Sequence, residues 1–297
     1  MKKKALFIVN PVSGGKAKDD VPQLIQKYLD TTIFDASIIY TDGANHAKQL
    51  AAEAVRNRVD LVVAVGGDGT VNEAASSLVG SQTAFGILPF GSGNGLSRFL
   101  KVPMNVCKAI SNLNALRIEV IDSATANGAP FFNLAGMGFD AHIAEVFSHN
   151  KTRGFITYAK SALTEIVNYK PQSYHINIDG ADYERTAFML SFANSSQFGN
   201  NAHVSPKASV QDGLIDVCII KKFPLWRFPE MAIRMFTKTA DGSKYVEIIR
   251  GKHIVITPEK PGPMHLDGEP HQLDAKVEIN VVPHSLKIIT GKDYKAR

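Results

Sequence analysis

Cysteine is scarce in this chain, and the two present, Cys107 and Cys218, form no CxxC pair. A CxxC metal or redox site is therefore excluded, and both thiols are expected to pack as small apolar groups in a reducing cytoplasm. Long hydrophobic runs are missing too: no window approaches the roughly 20 apolar residues that span a bilayer. The opening MKKKALFIVNPVSGG imitates a secretion signal only superficially. Asn10 and Pro11 stop its apolar run, residues 5–9, well short of the roughly 7–15 residues of a signal core, so a first β-strand is expected there. Also absent are internal repeats, low-complexity tracts and any block of basic residues, so nucleic acid is not an expected partner. The formal charge of +5 is dispersed and points only to anionic partners in general.

What is present is the composition of a globular protein, 44% hydrophobic and 21% charged, at a length of 297 residues that suits two domains. Through residue 122, strand-like and helix-like segments alternate. ALFIVN (5–10), FDASIIY (34–40), LVVAVG (61–66) and AFGILPF (84–90) read as strands, with helical stretches near 19–30 and 45–57. Such alternation implies a parallel, doubly wound α/β sheet. From about residue 123 the texture changes. Apart from a helical stretch around 139–167, short alternating segments recur at 173–178, 187–194, 214–220, 253–257, 275–282 and 286–290. These predict a second, mainly antiparallel β domain over 123–297, sharing a cleft with the first.

Three glycine-rich loops follow strands of the first domain: NPVSGGK, GGDGT and FGSGNG. Ligands of such sheets bind beyond the carboxyl ends of the strands. Glycine lets backbone N–H groups approach a phosphate closely, and a helix beginning just after the loop adds unpaired donors. In VVAVGGDGTVNEAASSLVG, Thr70 and Glu73 have the spacing of a capping box. Asp68, between Gly67 and Gly69, is either a turn former or a functional carboxylate. Among phosphate-binding amides, it would hold Mg²⁺ or accept a proton from an attacking hydroxyl.

The ordered set NPxSGG, GGDGTxNE, PxGSGN and LDGE, together with FFNLAGMGFDAHIAEV (131–146), resembles the catalytic domain shared by bacterial diacylglycerol kinases, related lipid kinases, and sphingosine and ceramide kinases. The resemblance covers nearly the whole chain. It implies a phosphofructokinase-like α/β domain and an antiparallel β-sandwich domain enclosing MgATP, with the γ-phosphoryl group passing to a lipid hydroxyl. Carried over by motif, Asn10, Ser13, Gly14, Gly15, Thr41, Gly66, Gly67, Asp68, Gly69, Thr70, Asn72 and Ser92 would lie at the nucleotide. Asp267 and Glu269 would serve as metal ligands or as base, Glu269 being favoured as proton acceptor, and Asp122 would link the acidic groups. KASVQDGLIDV (207–217) resembles a segment holding a structural Mg²⁺ through the Asp212 carboxylate and the Ser209 and Leu214 carbonyls; a plain turn before a strand is the alternative. Where diacylglycerol kinases commonly continue Asn-Asp-Phe, this chain has Asn94, Gly95 and Leu96, closer to the GSGNAL form of sphingosine and ceramide kinases. The lipid is thus left open.

Finally, KKFPLWRFPEMAIRMF (221–236) interleaves basic and aromatic residues, which suits either an anionic membrane surface or a helix packed on the β domain. A cytoplasmic enzyme peripheral at the inner membrane face is expected, with a homodimer left open. Two rival readings remain: a kinase of a soluble alcohol, like NAD kinase, although no Asn-Asp-Glu triplet is present, and an inactive nucleotide- or lipid-binding regulator.

Overall fold

The structure, a computed structural model, describes residues 1–15, 18–148, 165–166, 169–272 and 275–296. They form two compact units, Met1–Ile121 with His284–Arg297, and Asp122–Pro283.

The first unit is built on β1 (Lys3–Val9), β2 (Phe34–Tyr40), β3 (Leu61–Gly66) and β4 (Ala84–Pro89), parallel in the order β2-β1-β3-β4. β3 is LVVAVG, buried at all six positions, as expected for a strand covered on both faces. Helices α1 (Val21–Tyr28), α2 (His46–Arg56), α3 (Asp68–Ser76), α4 (Gly95–Phe99) and α5 (Val106–Leu113) connect or follow the strands. α1 buries Val21 and Ile25, α2 buries Ala47, Leu50, Ala51 and Ala54, and α5 buries Ala109, Ile110 and Leu113 below an Asn105 cap. Register matters most for the site. Val9 pairs with Tyr40 and with Val65, and Gly66 pairs with Pro89, so the strand ends are level and the loops beyond them gather at one edge.

The second unit begins in β5 (Ile118–Ala126) and continues through β6 (Ala129–Phe131), β7 (Leu134–Gly138) and α6 (Phe139–Ser148). After β8 (Gln172–Ile178) and β9 (Ala181–Ala187) come β10 (Met189–Ala193), β11 (Gln197–Gly199), β12 (Ala202–His203) and β13 (Ile215–Ile220). Helix α7 (Phe228–Phe236) precedes β14 (Val246–Gly251), β15 (His253–Pro258), β16 (Pro263–Leu266), β17 (Glu269–Gln272) and β18 (Val277–Ile289). One antiparallel sheet runs β14-β13-β10-β7-β16-β17, and β15, β8, β9 and the start of β18 form another. Between them lies a core of Phe131, Leu190, Phe192, Val217, Ile254 and Ile279, all fully buried. A second cluster, with Phe139, Phe188 and Met231, packs on the outer face of the first sheet under α6 and α7.

The architecture is the expected one, α/β followed by a β-sandwich. Several details differ from the sequence reading. The segments 275–282 and 286–290 are one strand of 13 residues, β18, whose polar positions hide its continuity. Its end returns to the first unit, where Ile288 pairs in parallel with Phe85 of β4. Residues His284–Arg297 therefore belong with the first unit and not, as 123–297 implies, with the second. Of the helix expected around 139–167, Phe139–Ser148 is present as α6; residues 149–164 and 167 lie outside the described ones.

Ile288 is fully buried beside β4. Ile288→Ala is expected to lower stability by about 2–4 kcal/mol despite its place near the chain terminus. Urea unfolding measures this, and a loss under about 0.5 kcal/mol would show that the segment adds nothing to the first unit.

Candidate functional site

At the level edge of the parallel sheet, the three glycine loops are fastened to one another. Asn10 donates its backbone N–H to the Val65 carbonyl (3.1 Å) and its side-chain Nδ2 to Thr70 Oγ1 (3.0 Å). Ser13 Oγ donates back to the Asn10 carbonyl (3.2 Å). Gly14 has φ +69°, and a β-carbon there would lie 1.7 Å from the Phe90 carbonyl oxygen, so only glycine fits. Gly15 closes the 3-10 turn Ser13–Gly15. Beneath the loop, Lys18 donates to the Ser13 carbonyl (2.5 Å) with its ammonium 5.1 Å from the Phe90 ring centroid. Burial lowers its pKa from the usual lysine value. Thr41, after β2, is buried and donates its N–H to the Val9 carbonyl (2.8 Å).

The second and third loops touch through bare backbone. A β-carbon on Gly67 would lie 3.3 Å from Gly91 Cα, and one on Gly66 would meet the Thr70 side chain at 2.5 Å. α3 starts at Asp68, with Gly67 as its N-cap and no side-chain cap. This corrects the expected capping box. The glycine pair lets the helix begin two residues before Thr70, whose hydroxyl takes Asn10, while Glu73 Oε1 accepts the Asn45 N–H (3.0 Å). Gly69 lies in the first turn, and Asn72 follows it, its carbonyl accepting Ser76 Oγ (2.6 Å).

Asp68 reaches across to the third loop. Its Oδ2 accepts the Asn94 N–H (3.0 Å) and its Oδ1 the Gly95 N–H (3.1 Å). The carboxylate thus sits at the start of α4, a contact the sequence reading did not foresee. Asn94 completes the loop in a left-handed conformation, accepting from Gly91 N (2.9 Å) and donating to the Gly91 carbonyl (2.6 Å). Ser92, at the loop tip, is exposed.

In the second unit, LDGE forms the turn between β16 and β17. Leu266 pairs with Glu269, leaving Asp267 and Gly268 as a two-residue loop, both with positive φ, the combination that a type I′ turn requires. The Asp267 carboxylate does not point into solvent. It accepts the backbone N–H groups of Phe132 (3.0 Å), Asn133 (2.8 Å) and Leu134 (3.1 Å). Glu269, by contrast, is exposed at the start of β17.

A buried group behind this turn escaped the sequence reading. His265 Nε2 lies 3.2 Å from Asp140 Oδ2, which also accepts from Ser191 Oγ (3.0 Å). Gly268 N–H donates to His265 Nδ1 (3.4 Å), a contact that fits Nε2 carrying the proton toward Asp140. Gly136 makes room for the pair, since a β-carbon there would fall 2.1 Å from Asp140 Oδ2 and 2.6 Å from His265 Nε2. Gly136 and Asp140 lie inside the stretch 131–146 and His265 just before LDGE, yet only the fold shows that they meet.

Asp122 is fully buried. Its Oδ2 accepts the Gly213 N–H (2.8 Å), and its carbonyl accepts Asn194 Nδ2 (3.0 Å), which also donates to the Phe132 carbonyl (2.7 Å). Asn194, also unforeseen, thereby connects Asp122 to the segment that Asp267 holds. The loop beyond Asp122 contains Ser209, whose Oγ accepts the Gln211 N–H (3.2 Å), and Asp212, whose Oδ1 accepts the Leu214 N–H (3.1 Å). Burial raises the Asp212 carboxyl above the usual aspartate range, and Asp216 and Asp122 add to the rise. Among the described residues, no cluster of three or more His, Cys, Asp or Glu side chains could hold a metal. The unit also contains a cavity of about 220 Å³ whose lining includes Ile166, Tyr169, Phe188, Phe223 and Leu225.

Two family models meet this chain end to end. One, described as Diacylglycerol kinase catalytic domain, matches residues 4–126, and the other, YegS C-terminal NAD kinase beta sandwich-like domain, matches residues 133–290. Parallel-sheet unit and sandwich together thus define a two-part kinase fold, and the chain belongs to the diacylglycerol kinase family with a YegS-type C-terminal domain. It is 27% identical over 273 residues to the diacylglycerol kinase of Bacillus subtilis, covering 90% of each chain. A crystal structure of a diacylglycerol kinase from Bacillus anthracis superposes with a TM-score of 0.76 at 23% identity, covering 98% of this chain and 97% of that one. The fold extends to an NAD kinase from Archaeoglobus fulgidus solved in complex with ATP, with a TM-score of 0.53 at 13% identity and coverage of 97% and 94%.

The two acidic residues of LDGE should separate in a stability measurement. Asp267→Ala strands three N–H donors and is expected to cost about 2 kcal/mol or more, whereas Glu269→Ala should stay within about 0.5 kcal/mol. Equal costs in urea unfolding would contradict the division.

Proposed function

We propose that the protein is an ATP-dependent lipid kinase, passing the γ-phosphoryl group of ATP to the hydroxyl of a lipid alcohol. The observation that carries this reading is the fastening of three glycine loops at one sheet edge, with Asp68 bound across the third. Bare glycine backbone at the start of α3 suits polyphosphate, because amide donors come close with no side chain to hold the anion away. In this reading Gly66, Gly67, Gly69 and Thr70 receive the phosphates. Asn10, Ser13, Gly14, Gly15, Thr41, Asn72 and Ser92 border the nucleotide. Asp68 keeps the third loop in register and presents the unit's acidic group beside the phosphates. Magnesium on the phosphates would neutralise charge that builds during transfer.

The second unit supplies the acceptor side. Glu269, exposed and held at a rigid turn, takes the proton from the lipid hydroxyl. Asp267 acts as a positioning residue, fixing that turn to Phe132–Leu134, and Asp122 supports the same segment through Asn194. The cavity lined by Phe188, Phe223 and Tyr169 suits an acyl chain. Because the substrate is a lipid, the enzyme works at a membrane surface.

Labelled ATP and Mg²⁺ offered with diacylglycerols, monoacylglycerols, sphingoid bases and ceramides should place label in a lipid product. Label in NAD, included as a soluble acceptor, or in no product at all, would overturn the reading. Glu269→Gln should lower kcat by about 10²–10⁴-fold with KM little changed. Asp68→Asn should lower it by about 10²-fold or more. Retention of activity within about twofold by Glu269→Gln would remove it as base.

Asp212, with the Ser209 and Leu214 carbonyls, suits a structural Mg²⁺, since a carboxylate near two others gains from a cation. Its folded pKa is raised, so ionisation of Asp212 weakens the fold as pH rises from the unfolded toward the folded pKa. Above that window Mg²⁺ should offset the loss, stabilising the protein by about 1–3 kcal/mol at saturating metal. Asp212→Asn should be no less stable than the parent without metal and insensitive to Mg²⁺. A metal-dependent Tm in that variant, by calorimetry, would refute the site.

A further inference from the structure

Helix α7 and the 3-10 turn Leu225–Arg227 before it are apolar on two sides. One side, with Phe228, Met231 and Met235, packs into the second unit's outer core. The other faces water. Leu225 is 49% exposed, Trp226 71%, Ile233 62% and Phe236 48%. Trp226, Pro229, Ile233 and Phe236 follow one another at steps of three, four and three, so they line one stripe of the helix. Four of the nine large hydrophobic side chains exposed among the described residues are concentrated in this short segment. A clustered apolar stripe of that kind marks an interaction surface.

The charge around the stripe selects the partner. Residues 221–244 contain Lys221, Lys222, Arg227, Arg234, Lys238 and Lys244 against only Glu230 and Asp241. Glu230 lies between Arg227 and Arg234, accepting from Arg234 Nε at 3.0 Å. The Arg227 guanidinium lies over the Trp226 ring, 4.3 Å from its centroid, so ring and cation are presented together. Two copies of the chain meeting through this face would oppose like charges. An anionic bilayer meets both demands, taking the apolar stripe below the headgroups and the cations at them.

We propose that residues 221–238 are the surface by which the protein docks on an anionic lipid bilayer, with Trp226, Ile233 and Phe236 inserted at the interface. Leu225 is shared between this surface and the wall of the cavity that Lys222, Phe223 and Phe188 also line, so the docked face and the cavity adjoin. The proposal rests on the lipid-kinase reading for its purpose, not for the geometry that supports it.

Trp226 is the chain's single tryptophan, so its fluorescence reports on this surface alone. Mixed with vesicles of equimolar phosphatidylglycerol and phosphatidylcholine, the protein should cosediment and its emission should shift to the blue. Pure phosphatidylcholine vesicles should bind it at least about tenfold more weakly, and salt should weaken binding to the anionic ones. Ile233→Asp should reduce partition by about tenfold or more, and Lys238→Glu by several-fold. Both variants change exposed side chains and should match the parent on a dispersed short-chain diacylglycerol. Absence of vesicle binding, unchanged binding by Ile233→Asp, or a blue shift on concentrating the lipid-free protein together with a dimeric mass would overturn the proposal. Vesicle binding without phosphorylation of any lipid would support the surface and remove the kinase reading; phosphorylation of the short-chain lipid without vesicle binding would do the reverse.

Discussion

In each unit, a carboxylate held by backbone amides organises the candidate residues around it. Asp68 spans from the start of α3 to the amides of Asn94 and Gly95, and Asp267 spans from a hairpin turn to the amides of Phe132, Asn133 and Leu134. Both join segments far apart in the chain. A carboxylate that receives two or three N–H groups makes strong, charge-assisted bonds and fixes the donors' directions as well as its own. The glycines follow from this arrangement. Gly67 and Gly91 must be bare for the loops to close to the distance that Asp68 spans, and positive φ at Gly268 lets the hairpin turn tightly enough to present Asp267.

Each unit also buries a polar group that would be costly if left unpaired. In the first unit the Lys18 ammonium finds the Ser13 carbonyl and the Phe90 face, which makes the floor of the first loop rigid. In the second, His265, Asp140 and Ser191 share one oxygen, and Gly136 gives them room. His265 also receives Gly268 N–H, so the packing of the sheet reaches the turn that ends in Glu269. Rigid support of this kind is what a reactive group needs when small displacements are expensive.

Much of this was readable from the chain. Apolar runs located β1, β3 and β4, stopped by Asn-Pro after the first and by glycine after the other two, and with them the three loops. The Asp-Gly pair of LDGE was read as part of a motif, and the short strands β16 and β17 on either side of it were not foreseen. These features are local, and local patterns survive in a sequence. What stayed hidden is non-local. Nothing near Asp140 announces that His265, 125 positions later, will lie against it. Thr70 and Glu73 had the right spacing for a capping box but lost it to the earlier start of α3, which Gly67 permits. β9, ADYERTA, has no apolar alternation because most of it faces water, and β18 was split by the polar residues around Pro283. α5 could have been found, since Asn105 precedes residues with a regular buried face.

The pairing of Ile288 with Phe85 has a bearing on how the protein is made. A nascent chain emerges from the ribosome in order, and β1 to β4 leave the tunnel long before β18 does. The opening unit must wait, with one flank of its parallel sheet unpaired, until almost all of the sandwich has been synthesised. Exposed strand flanks attract other chains. Until Ile289 has been translated, that flank of β4 stays open to mispairing.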